Sequence, residues 1–142
     1  MDELKFEPYA VKLCLTRPKN SPKAEFSTAV ACLAETVAGR CLSEKGALIG
    51  HIKGFATGPD GSYLHVSVTD DARPADIEGH IACRPKSIIL TLNVHVFGVS
   101  AARLKELLIE SLSNPEVEKN ALISIVEPIM SHRIFKEKNH AE

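Results

Sequence analysis

The stretch GHIKGFATGPDGSYLHVSVTD, residues 50–70, decides how this chain folds. At its middle, Gly58-Pro59-Asp60-Gly61 makes a turn with a physical mechanism. Proline presets φ, and glycine tolerates the left-handed conformation that closes the turn. Residues 47–56 lead into it and residues 62–69 lead out, so the stretch is a β-hairpin. Leu64, Val66 and Val68 alternate with Tyr63, His65 and Ser67, the period of two expected of a half-buried strand. The hairpin also carries two histidines, His51 and His65, whose role is the first functional question.

Working outward, the segment DDARPADIEGHIACRPK (70–86) has two prolines, a glycine and several charges. It reads as an irregular connection with a short edge strand around Ile77 to Cys83. KSIILTLNVHVFG (86–98) follows, β-rich and long enough to be a central strand. Ser100 caps a helix over AARLKELLIESL, whose apolar face is Leu104, Leu107, Leu108, Ser111 and Leu112. Beyond it, Asn114-Pro115 could begin a third helix, while ALISIVEP reads as a strand closed by Pro128. The strand is the favoured reading, and the charged last residues are expected to fray.

On the N-terminal side, PYAVKLCLT (8–16) alternates Val11, Leu13 and Leu15 with Lys12, Cys14 and Thr16, giving another strand. Ser21 and Pro22 suit the N-cap and first position of a long helix. Its face is Phe26, Val30, Leu33, Ala34, Val37, Ala38 and Cys41, and Gly46 is a plausible stop. The order β-α-β-β-β-α-β then packs both helices on one face of one mostly antiparallel sheet. This is an α+β fold, a two-layer sandwich of ferredoxin-like kind, with a single domain over residues 1–142 and a compact core over about residues 7–128.

Composition narrows the function. The chain has 142 residues, 44% hydrophobic and 25% charged, with a formal net charge of −1 and no tryptophan. Neither an electrostatic footprint for nucleic acid or anionic lipid nor a base-stacking surface is present, and no apolar run is long enough to span a bilayer. The opening MDELKFEP lacks a signal-peptide pattern, so a cytoplasmic location is expected. Cys14, Cys32, Cys41 and Cys83 form no CxxC pair and read as free thiols.

The alternation divides each strand into two faces. Ile88, Leu90, Leu92, Val94 and Val96 form the core side of the central strand; Ile89, Thr91, Asn93, His95 and Phe97 look outward. In the first hairpin strand, His51 goes with Ile49, Lys53 and Phe55. With both helices on the aliphatic side, His51, His65, His95 and Cys14 fall on the uncovered face. Ile49, Phe55, Ile89 and Phe97 lie there too, which makes that face a candidate interface for a second copy or a protein partner. A metal centre of His51, His65, His95 and Cys14 is the competing reading, since imidazole and thiolate suit Ni, Co or Zn. A third reading is a small enzyme or ligand-binding protein using the histidines with Lys53, Thr91 and Asn93.

Other constellations are weaker. His80-x-x-Cys83 is a second candidate metal pair, and Asp70-Asp71 with Asp76 and Glu78 departs from an EF-hand loop. His132 and His140 lie in the tail and are expected to titrate in solvent. There is no GxSxG elbow, Walker loop or GxGxxG. Cys14 or Cys83 as a nucleophile would have only Lys12 or Arg84 to lower its pKa. No catalytic residue is assigned.

GHIKGFATGPDGSYLHVSVT (50–69), followed by LTLNVHVFGVSAARLKELL (90–108), resembles the region after the GTPase domain in CobW-like proteins, which are metal-insertion and cobalamin-related GTPases. The likeness covers residues 47–112 and rests on Gly50, His51, Lys53, Asn93 and Gly98. The phosphate-binding loop and cysteine-bearing metal motif of the GTPase part are absent from this chain. The resemblance therefore implies a stand-alone accessory module, partner-facing or metal-handling. The expectation is a non-catalytic interaction domain using its open sheet face, with metal or cobalamin handling as the sharper version.

Overall fold

In a computed structural model, residues 6–20, 23–69 and 74–128 are described. Nine elements follow along the chain: β1 Tyr9–Thr16, α1 Phe26–Leu42, β2 Leu48–Thr57, β3 Tyr63–Val68, β4 Asp76–Gly79, β5 Ser87–Phe97, α2 Ala101–Leu112, the single turn α3 Pro115–Glu118, and β6 Leu122–Pro128. The six strands make one open sheet in the order β4-β3-β2-β5-β1-β6, antiparallel at every pairing. The fold is thus α+β.

The hairpin closes as its turn residues dictate. Gly61 takes φ +86°, and the Gly58 amide donates to the Ser62 carbonyl at 2.8 Å. Alternation along β5 buries Ile88, Leu90, Leu92, Val94 and Val96 in turn, and β1 does the same with Val11, Leu13 and Leu15. The anticipated face of α1 is buried along its length, joined by Ala29. Ser100 caps α2 by accepting from the Arg103 amide at 3.2 Å. Buried residues of the helices and of the strands form a single core cluster. The alternate residues of the same strands, Lys12, Lys53, His65 and Ile89 among them, are exposed, so one face of the sheet is packed and the other is open.

Several expectations change. Helix α1 begins at Phe26 with Glu25 at the N-cap, making no side-chain cap bond, rather than at Ser21-Pro22, which lie outside the described residues. It ends at Leu42, before Gly46. The edge strand is shorter than its expected range, stopping where Gly79 turns to φ +80°. Residues 114–128 are helix and then strand: Asn114 caps α3 by accepting from the Glu116 amide at 2.8 Å, and β6 follows.

The correction that matters for function is Ile49. Expected on the open face, it is 2% exposed and sits in the core. The β2–β5 register shifts between Ile49 and His51, leaving Gly50 as the extra residue of a β-bulge. One inserted residue reverses the alternation upstream of it. Leu48, which strict alternation puts on the side opposite Ile49, is consequently the residue that looks outward, at 49% exposure.

Candidate functional site on the open sheet face

Register places the outward side chains in rows across the sheet. One row runs Thr91, Phe55, His65, Glu78 from β5 to β4, and the next runs Asn93, Lys53, Ser67, Asp76. Together these rows line a concavity of about 740 Å³, floored by Gly54, Val66 and Ile77. That volume lies in the range of small-molecule sites, roughly 300–1,000 Å³. Lys53, Thr91 and Asn93, anticipated as polar ligand groups, are thus brought together with His65.

Within the concavity, His65 packs edge-on against Phe55 at 4.7 Å and Tyr63 at 5.3 Å between ring centroids. Its Nδ1 lies 3.5 Å from a Glu78 carboxylate oxygen, an ion pair only when the imidazole is protonated. Asp76 and Glu78 stand on the edge strand, two strands away from Lys53. One wall is therefore acidic and the opposite wall carries an ammonium, an amide and a hydroxyl.

A second cluster occupies the other end of the face. His51 and His95 face each other across β2 and β5 with ring centroids 4.3 Å apart and planes tilted by 38°. Phe6 rests edge-on against His95 at 5.3 Å and leans on Phe97 at 4.8 Å. Burial, with the charges of His95 and Lys53, holds the His51 pKa below its ordinary value. A neutral imidazole is favoured there.

The four anticipated metal ligands are not gathered. His65 lies across from Phe55, four residues along β2 from His51, a run of about 13 Å. Cys14 pairs with Ile89, six residues along β5 from His95, about 20 Å away. Among the described residues, no group of three or more His, Cys, Asp or Glu is placed to hold a metal ion. His80 and Cys83 line a small recess with Arg17, Glu25 and Arg84, where Arg84 donates to the Glu25 carboxylate at 3.1 Å. Asp70, Asp71, His132 and His140 lie outside the described residues. Of the other thiols, Cys41 is pushed up to about 11 by burial, and burial also raises Cys32. Neither is an activated nucleophile.

Of the anticipated interface residues, Phe55 and Ile89 are 44% and 45% exposed, and Phe97 is half-buried against Phe6. Sequence reasoning did not assign Phe6, Tyr63 or Leu48 to an interface. For Tyr63 the signal was present, since it alternates with Leu64 on the outward side of β3.

No protein-family model, curated protein or solved structure matches the chain. Among the described residues, no helix is long and apolar enough to cross a membrane.

Proposed function

We infer that this chain is a ferredoxin-like, two-layer sandwich acting as a non-catalytic interaction domain in the cytoplasm, with the open sheet face as its binding surface and a second copy of the chain as its partner. One observation carries the reading. Large apolar side chains, namely Phe6, Leu48, Phe55, Tyr63 and Ile89, stand exposed among polar groups on the face that the helices leave uncovered. The ferredoxin-like assignment is supported by topology. With the β3–β4 extension set aside, the sheet order is β2-β5-β1-β6, and α1 and α2 each connect two strands separated by one neighbour.

Native mass spectrometry of the reduced protein, with and without Ni, Co and Zn, tests this. A metal-independent dimer converted to monomer by Ile89→Asp supports the interface; a monomer at tens of micromolar counts against self-association. The metal- or cobalamin-handling version rests on the CobW-like resemblance, and of its proposed ligands only His51 and His95 are adjacent. Uptake of one ion that survives loss of both histidines would exclude that pair as its site.

The concavity favours a second reading, in which the β4 side of the face receives a small ligand. Convergent polar groups around an aromatic wall are what such a site needs.

A further inference from the structure

The geometry points to a basic amino acid, a zwitterion with a second cationic group at the far end of its side chain, as the ligand class of the concavity lined by Lys53, Phe55, Asp76, Glu78, Thr91 and Asn93. This inference rests on the small-ligand reading of the face and deepens it.

Charge decides the class. The concavity sets one ammonium, on Lys53, against two carboxylates, on Asp76 and Glu78, with the His65 imidazole beside Glu78. A phosphate ester or polyanion would meet more repulsion than attraction there. A simple polyamine would satisfy the carboxylates but confront Lys53. A molecule with one anionic group and net positive charge complements both walls.

Position decides its orientation. Lys53, Ser67 and Asp76 occupy successive strands of one row, so the ammonium and carboxylate stems rise about 10 Å apart at the usual strand spacing. An extended arginine measures about 7 Å from carboxylate to guanidinium. Flexing of the Lys53 and Glu78 side chains, both exposed, covers the difference. The α-carboxylate then lies against Lys53, and the α-ammonium beside it turns away from Lys53 toward the Asn93 amide oxygen and the Thr91 hydroxyl, which accept from it. The guanidinium reaches Asp76 and Glu78, where a planar cation accepts a carboxylate fork. Its aliphatic stem crosses the exposed Phe55 ring, which adds apolar contact. Glu78, which lies 3.5 Å from His65 Nδ1, would leave that contact as it swings to the ligand.

Isothermal titration of the full chain with L-arginine and L-lysine tests the assignment, alongside agmatine, which lacks the carboxylate, and L-citrulline, which lacks the distal charge. Millimolar or tighter binding of arginine is expected, weakened at least tenfold in agmatine and in citrulline. Lys53→Met should abolish the preference for arginine over agmatine, and Glu78→Gln with Asp76→Asn the preference over citrulline. Lys105→Met, on α2, serves as a control of equal charge change that leaves both preferences intact. All of these positions are on the surface, and circular dichroism checks that the variants fold. If glutamate or inorganic pyrophosphate binds instead, the ligand class is wrong while the site stands. If neither these nor arginine binds at 10 mM, the ligand class and the small-ligand reading fail together.

Discussion

The two faces of the sheet are built from the same strands, with alternate residues doing opposite work. Along β5, Leu90 and Leu92 are wholly buried, whereas Ile89, the residue before Leu90, faces the other way and is 45% exposed. The covered face is uniform and aliphatic, forms one core with α1 and α2, and was read correctly from a period of two except upstream of the Gly50 bulge. The open face is heterogeneous, with an aromatic-histidine cluster at one end and a charged concavity at the other. Stability should reside on the first face and recognition on the second. That contrast can be broken by experiment.

The largest expected effect is on the covered side. Leu90→Ala should cost about 3 kcal/mol, the transfer term plus the cavity left in a close-packed core. In the dissociated monomer, Ile89→Ala, one residue away and facing out, should change the stability read from urea unfolding by less than about 0.5 kcal/mol. Equal losses would mean that the open face is buried in the protein as it exists in solution, which an obligate dimer would produce. Gly98→Ala should follow at about 2 kcal/mol, because Gly98 takes φ +84° and an added Cβ would stand 2.5 Å from the Gly46 carbonyl oxygen. Backbone cannot swing aside as a side chain does. Two of the residues behind the CobW-like resemblance, Gly50 and Gly98, thus have structural reasons to be glycine, while Lys53 and Asn93 are cross-strand neighbours on the open face.

How far the sequence carried this reading depends on what each element needed. The strands β1, β3 and β5 and the faces of α1 and α2 were legible because periodicity alone specifies them. Gly50 was not, since a bulge is defined by two strands and shows in neither; misreading it sent Ile49 to the wrong face and hid Leu48. The anticipated quartet of His51, His65, His95 and Cys14 is not brought together, for a related reason. Sharing a face is visible in one strand, but distance along that face depends on register, and register spread them over about 20 Å. The same registers gathered Lys53, Thr91 and Asn93 with Asp76 and Glu78, a set whose acidic half lies in a segment that read as irregular.

The bulge itself sharpens the comparison. A Cβ at Gly50 would lie 3.1 Å from the His95 carbonyl oxygen and 3.3 Å from the Phe97 ring. Gly50→Ala should therefore cost about 1 kcal/mol. More usefully, it should disturb the His51–His95 and Phe6–Phe97 end of the open face while leaving the concavity intact. Chemical shifts of the His51 and His95 ring protons should move and those of His65 should not. Movement of all three would mean that the two ends of the face are mechanically coupled.

The smallest effect concerns pH. His51 has its folded pKa lowered, first by burial and then by the charges of His95 and Lys53. Relative to an unfolded value near 6.5, the unfolded state binds more protons as pH falls. Stability held above about pH 6.5 is therefore lost progressively as pH drops through the lowered folded value. Replacing His51 with Gln removes the titrating group but keeps a polar side chain on the open face. The urea midpoint should fall between pH 7.5 and 5 in both proteins, less steeply in His51→Gln, while Leu90→Ala shifts the whole curve down without changing its slope. Parallel curves for the parent protein and His51→Gln would show that the proton taken up on unfolding belongs elsewhere. In that case the His51–His95 end of the face is more open to water than its 4.3 Å ring contact implies.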